Sequence, residues 1–443
     1  MSAVERPAVA ETPVSVSPLV REDRDARVFR VHRSALRSPD IFALERERIF
    51  ASSWLYVGHE SELAGPGDFL VRMVGGRQVI FCRDEGGAIR IWLNTCPHRG
   101  TTLCRESGGN ARFFRCFYHA WSFSPSGDLV SLPGKEAYPP DDDFRERLGL
   151  RPAPRFDARA GFVFLSYAVV GPNLDEHLAG AGDHLDLVAD HSPHGMEVLP
   201  GTQSYGVKGN WKLAVENAMD GYHFTPTHIT FVEYLKESGF MSSDEGGVVE
   251  NLDNGHSVMT QSGHSGRVGL DWEPRFGETE RERIDAVREE LAERLGAERA
   301  TRIADHSRIL YVFPNLLVFD IEALSIRVLE PTSASTTDVT AWHLAPREEP
   351  ESVRSLRLRT LVSFIGPGGL ATPDDIEAYE SIQRGVGSTA DDQRPGVDWN
   401  DISRGLEDEY AGRPGRSVDE ASIRGFWREW SGYLNDGDRE SEA

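Results

Sequence analysis

Cys96-Pro97-His98-Arg99-Gly100 and, after seventeen residues counted from the histidine, Cys116-Phe117-Tyr118-His119-Ala120-Trp121 decide how this 443-residue chain reads. Each Cys-His pair is short enough to sit on one loop tip. Together they supply two thiolates and two imidazoles. A [2Fe–2S] centre uses such a set when Cys96 and Cys116 hold one iron and His98 and His119 hold the other. Neutral imidazole in place of anionic thiolate lets the histidine-bound iron accept an electron more readily. The outer ring nitrogens can then couple that electron to protons. A structural zinc site is the competing reading, because tetrahedral zinc takes the same residue types. The Cys-x-His spacing is tighter than that of the usual zinc finger.

A second constellation follows about a hundred residues on, from Asn210-Trp211-Lys212 through Glu216-Asn217-Ala218-Met219-Asp220-Gly221-Tyr222-His223 to Thr225-Pro226-Thr227-His228. The stretch predicts a helix that ends near Thr225. On an unbroken helix His223 and His228 would point about 140° apart. Pro226 cannot continue the helix and pushes Thr225 out of the α region, so the chain can bend and bring His228 back toward His223. Two histidines and one carboxylate on one side of an iron form the facial triad of non-haem Fe(II) oxygenases, which leaves positions open for dioxygen and substrate. The histidine spacing does not match the i, i+4 pair of helical zinc proteases.

Taken together, these residues resemble the large (α) subunit of the Rieske non-haem iron aromatic-ring-hydroxylating dioxygenases. Cys-Pro-His-Arg-Gly with the later Cys-x-x-His-x-Trp is the family's first signature. Asn-Trp-Lys followed by Glu-Asn-x-x-Asp-x-Tyr-His and a further His is its second. Gly58 to Glu62, Phe313-Pro314-Asn315, Ser403-Arg404-Gly405 and Phe426-Trp427-Arg428-Glu429-Trp430 extend the likeness over most of the chain. Two departures stand out: Ala120 replaces the usual Gly after the second cluster histidine, and Phe117 stands where many members carry Pro.

The resemblance implies that His223, His228 and a distant carboxylate hold a mononuclear Fe(II), and it carries the carboxylate to Asp375 of Thr372-Pro373-Asp374-Asp375, with Asp374 as the alternative. The same four residues also read as a helix start, with Thr372 as N-cap, Pro373 at the first helical position and an apolar face continued by Ile376, Tyr379 and Ile382. It further implies that Asp220 links a catalytic-iron histidine to a cluster histidine of the neighbouring subunit and so carries the electron. On a helix Asp220 would share a face with His223; by itself it reads as a helix-surface acid. Asn217 and Tyr222, beside the ligands, are expected to face the active site.

The expected activity is terminal oxygenation of an aromatic compound by O₂, most often as cis-dihydroxylation. Electrons would come, ultimately from NAD(P)H, through a ferredoxin, a flavin reductase or both. A small β subunit and a trimeric α₃ or α₃β₃ assembly are implied as well. A Rieske monooxygenase or demethylase acting on an aromatic acid or amine would use the same residues. A zinc-stabilised binding protein without redox chemistry is the distant competitor. Arg327 could meet a substrate carboxylate or simply pair on a sheet face.

A net charge of −23 argues against nucleic-acid or anionic-membrane partners. No charged-then-apolar leader pattern opens the chain, and its longest apolar stretch, Ala160 to Val170, is far short of the ~20 residues of a membrane span. A cytoplasmic protein is expected, with Cys82 and Cys104 kept reduced. Four segments are expected: a loose arm over 1–38, an all-β [2Fe–2S] domain over 39–166, a catalytic domain over 167–435 and a tail over 436–443. Hairpin signals such as Gly75-Gly76 and Asp84-Glu85-Gly86-Gly87 punctuate the first domain. The second mixes a Glu/Arg-laced amphipathic helix over Glu278 to Leu295 with strands at Ile309–Val312, Leu316–Ile321, Ile326–Leu329, Val339–Leu344 and Leu356–Phe364. The fold class is α+β, and the resemblance implies its helix-grip form.

Overall fold

The computed structural model describes residues 18–138, 147–237, 247–262, 266–390 and 394–439. In the N-terminal domain the strands Asp68–Val74, Arg77–Arg83 and Ile89–Leu93 form an antiparallel meander, and Gly108–Asn110 pairs on its outer edge. Gly75 and Gly76, at φ 57° and 76°, make its first turn. Two successive positive φ values are what a tight hairpin requires, and glycine adopts them without steric cost. Asp84 closes the second turn by accepting hydrogen bonds from the amides of Gly86 and Ala88 at 2.9 and 2.8 Å. A second small sheet joins Phe114–Arg115, Ser122–Phe123 and Leu129–Ser131. The apolar stretch near residue 160 becomes the fully buried strand Phe162–Ser166, central between Arg155–Arg159 and Trp54–His59.

The C-terminal domain is built on a long antiparallel sheet. Its central strands Thr336–Pro346, Leu324–Ser333, Leu316–Asp320, His306–Val312 and Ser257–Ser262 lie side by side. Side chains alternate across this sheet. Ile326 and Val328 pack into the apolar layer toward the first domain, whereas Arg327 and Leu329 line a cavity on the other face. The helices Trp211–Ala218 and Thr372–Gly387 cover that face. The amphipathic helix falls at Glu278–Leu295 and buries Ile284 and Leu291.

The Asn-Trp-Lys signature is an anchoring device. Asn210 caps its helix by accepting the Lys212 amide at 3.1 Å. Trp211 then donates its indole N–H to Glu45 at 3.0 Å, Lys212 ion-pairs with the same carboxylate, and Trp430 donates to it at 2.8 Å. One buried acid thus joins the Pro39–Arg48, Trp211–Ala218 and Ala421–Arg439 helices. The closing Phe426-to-Trp430 motif is the other half of this lock, since Trp427 donates to Glu216 at 2.7 Å.

Several expectations need correction. Residues 18–38 are no loose arm: Val20–Asp23 and Val28–His32 form a hairpin that pairs with Trp399–Asp401, and Phe29, Val31 and Leu36 are buried. Residues 1–17 lie outside the described residues. The final helix runs on to Arg439, four residues into the expected tail. Leu356 to Phe364, expected as a strand, is instead helical as far as Ser363, within the helix Glu351–Ser363, with Phe364 as its C-cap. Its buried positions Val353, Arg357, Thr360 and Leu361 fall at helical spacing, and the arginines between them reach solvent or partners. All four cysteines are free thiols, and burial pushes Cys82 and Cys104 up to about 12.

Candidate metal centres and active site

The two Cys-His loops are built alike. In each, the cysteine amide donates to a carbonyl five residues on, Cys96 to Thr101 at 2.8 Å and Cys116 to Trp121 at 2.8 Å. The cysteine carbonyl accepts from the fourth residue on, Gly100 or Ala120, each at 2.9 Å. The turn forces that fourth residue left-handed, at φ 72° for Gly100 and 58° for Ala120. The substitution noted in the sequence is therefore a strained one. The loops meet: the His98 and His119 rings lie 4.5 Å apart between centroids, and His98 stacks flat on Trp121. Cys96 and Cys116 are buried, and the Nδ1 atoms of both histidines are sealed from water without any hydrogen-bond partner.

Two sealed, unpartnered imidazole nitrogens on loops that also bury two thiols are costly unless something accepts their lone pairs. A [2Fe–2S] cluster fits that donor set. A single zinc ion does not, because a tetrahedral site draws all its donors within a few ångströms of one another. Among the described residues, His223, His228 and Asp375 alone bring three such donor atoms together within 4.8 Å.

That second group arises differently from the way the sequence predicts. The Trp211–Ala218 helix stops eight residues short of Pro226, not at it. Met219 and Asp220 leave the helical region, a 3₁₀ turn covers Gly221–His223, and Pro226 lies inside the short helix Phe224–Thr227. Asp220 is thus no face-mate of His223 on one helix. It caps the 3₁₀ turn, its carboxylate accepting the amides of Tyr222 and His223 at 3.0 and 3.3 Å. Likewise the N-cap of Thr372–Gly387 is Ala371, not Thr372. The Thr372 hydroxyl instead donates to Ile365 O at 2.7 Å and accepts from Arg327 at 3.0 Å. Tyr379 is buried as expected, but Ile382 is exposed.

The result converges on one point. Asp375 Oδ1 lies 3.2 Å from His228 Nε2 and 3.6 Å from His223 Nε2. The outer nitrogens of both rings are held from behind. His223 Nδ1 bonds the Asp220 carbonyl, and His228 Nδ1 lies 3.4 Å from Asp374 Oδ2. A proton on each Nδ1 leaves each Nε2 lone pair free for a metal. Asp374, the alternative ligand, thus sits on the far side of the His228 ring. Burial works to lower the His228 pKa, but the Asp375 and Asp374 carboxylates outweigh it and raise it. Burial raises that of Asp220.

Asn217 donates to Asp375 Oδ1 at 3.1 Å and accepts from Tyr379 OH at 2.8 Å, so it fixes the carboxylate. Tyr379, one turn after Asp375 on the same helix face, is a site residue that the sequence reading missed; the i+4 spacing was the available signal. Tyr222 does not line the cavity. It points outward, donating to Glu420 at 3.0 Å under the Arg404 guanidinium. The cavity beside the three donors is walled by Phe224, Phe231, Leu317, Phe319 and Phe364, with Arg327 in its floor.

A two-iron donor set on a β domain, and a one-iron donor set opening on an aromatic-lined cavity, define a Rieske non-haem iron oxygenase. Comparison with known proteins makes this more particular. Residues 53–144 match the Rieske [2Fe-2S] domain and residues 185–435 the ring hydroxylating alpha subunit (catalytic domain). The chain is 35% identical to the 2-halobenzoate 1,2-dioxygenase large subunit of Burkholderia cepacia, across 88% of this chain and 83% of that one. It is 32% identical to the toluate 1,2-dioxygenase subunit alpha of Pseudomonas putida, across 88% and 85%. The solved structure of naphthalene 1,2-dioxygenase with indole in its active site superposes with a TM-score of 0.79 at 27% identity, covering 91% of this chain and 92% of that one. The chain belongs to the ring-hydroxylating dioxygenase α-subunit family, whose members carry a [2Fe–2S] cluster and a mononuclear iron. No described helix is long and apolar enough to cross a membrane.

Proposed function

We propose that this chain is the terminal oxygenase subunit of a multicomponent dioxygenase that cis-dihydroxylates an aromatic acid. The observation that carries the reading is the donor set His223, His228 and Asp375 opening onto an aromatic-walled cavity. The acid class is supported by the 2-halobenzoate and toluate dioxygenases among its relatives. Cys96, Cys116, His98 and His119 would hold the cluster, and His223, His228 and Asp375 the single iron. Bound there, these groups supply one-electron transfer and the activation of dioxygen.

The chain's own residues do the positioning. Asn217, tied to Tyr379, aims the Asp375 carboxylate. The Asp220 carbonyl and Asp374 set the two rings with their Nε2 atoms inward. The phenylalanine walls bind the ring and exclude water, which strengthens every polar interaction inside.

Electrons would come from NAD(P)H through a reductase and ferredoxin. Asp220 would bridge to a cluster histidine of a neighbouring subunit in an α₃ or α₃β₃ ring. Two surfaces support that bridge. Phe117 and Tyr118 on the second cluster loop are 59% and 56% exposed. A groove lined by Asp220, Tyr222, His223, Ile382 and Glu420 opens on the outer side of the iron donors.

The test is turnover of benzoate by the reconstituted system under ¹⁸O₂, with mass analysis of the product. Two labelled atoms in a diol are expected. One labelled atom, or loss of a methyl group from a methylated substrate, would replace this reading with monooxygenation or demethylation.

A further inference from the structure

Arg327 is an anomaly among the buried arginines. Arg267, Arg308, Arg357 and Arg424 are also buried, and each has a carboxylate within ion-pair distance: Asp320 at 3.3 and 2.9 Å for the first two, Glu349 at 2.5 Å and Glu409 at 2.6 Å for the others. Arg327 is 7% exposed and has none among the described residues. Its Nη2 donates to Ile365 O at 2.8 Å and to Thr372 Oγ1 at 3.0 Å, and its guanidinium lies 4.6 Å from the Phe319 ring centre. Nε and Nη1 donate to nothing among the described residues. The strand partners in register with it are Leu317 and Ala341, so its surroundings on the sheet are apolar.

A guanidinium stays protonated even when buried, and a buried charge without a counter-ion is costly. The side chain lies in the cavity that also holds His223, His228 and Asp375. The bond to Thr372 presses it against the helix turn that supplies Asp375 three residues on. Arg308, the other cation lining this cavity, is already taken by Asp320. The missing partner is therefore an anion that comes and goes.

We infer that Arg327 is the specificity residue that receives the carboxylate of an aromatic acid through Nε and Nη1 and so orients the ring beside the iron donors. This deepens the oxygenase reading above and rests on it. The planar fork of two parallel N–H donors suits a carboxylate and offers nothing comparable to a neutral substituent of the same shape.

The test is calorimetric binding of benzoate and of its neutral isostere benzamide to the iron-loaded holoenzyme. Native protein is expected to prefer benzoate by about 100-fold or more, since a site built for a polar group rejects the analogue that cannot satisfy it. Arg327→Gln, with cluster spectrum and iron content unchanged, is expected to bring the two affinities within about threefold. Equal binding by the native enzyme, or a preference that survives in Arg327→Gln, overturns the assignment. If that variant loses iron through the broken Thr372 contact, Arg327→Lys decides instead. A benzoate preference of about tenfold or more supports the anchor, and its loss refutes it. Failure of the oxygenase reading looks different: benzoate binds selectively, yet no ¹⁸O enters it.

Discussion

Replacing Asp375 and Asp374 one at a time separates a ligand from the group that orients a ligand. Asp375 Oδ1 lies 3.2 and 3.6 Å from the two inward Nε2 atoms, and its side chain is only 12% exposed. Asp375→Ala removes one of three protein donors, the only anionic one, and leaves the Asn217 amide without its acceptor. Retention of Fe(II) by two neutral imidazoles alone is not expected. Asp374 stands behind His228 at 3.4 Å with its side chain 42% exposed. Partners of this kind are worth about 10- to 100-fold in metal affinity. Solvent screening of so exposed a carboxylate puts Asp374→Ala at the lower end, about tenfold or ~1.4 kcal/mol. The assay is anaerobic Fe(II) titration of the iron-depleted variants against a chromogenic chelator, with the cluster absorption as a control for folding. Loss of iron in Asp374→Ala together with its retention in Asp375→Ala would refute the assignment and exchange the two roles.

Two further predictions concern the scaffold. Ala120→Gly relieves a left-handed alanine in the second cluster loop at φ 58° and should raise stability by up to about 1 kcal/mol. Melting followed at the cluster absorption checks this, and a lowered midpoint would contradict the strain argument. Glu45→Gln leaves the fully buried Lys212 ammonium without its counter-charge and should cost about 3–5 kcal/mol in urea unfolding. Adding Lys212→Met should recover most of that loss; additive losses in the double variant would show that the pair is not coupled.

What could be read from the chain itself was the part carried by short-range chemistry. Cys96, His98, Cys116 and His119 lie on two loops a few residues long, and His223 and His228 are five apart, so spacing and residue type already restrict what they can bind. Strand-like runs and glycine turns likewise marked the Asp68–Val74 and Arg77–Arg83 hairpin, and strand-like runs marked four of the nine described strands of the large sheet. Leu356 to Phe364 misled because alternation of apolar and charged residues is compatible with a helix whose buried positions recur every three or four residues.

Other features were decided only when distant segments met. The choice between Asp374 and Asp375 depends on which carboxylate faces the two rings. That is set by the packing of a helix some 150 residues from His228 in sequence, which no local pattern encodes. The break at Met219 and Asp220 became visible only in the backbone, as did the capping that turns His223 inward. For Arg327 the informative property is the lack of a carboxylate partner, and a partner's absence can be judged only after the chain has placed its other acids. Sequence determines which groups are available to bind metal and substrate, because their chemistry is local; tertiary structure decides which of them face one another, because interactions of this kind act over only a few ångströms.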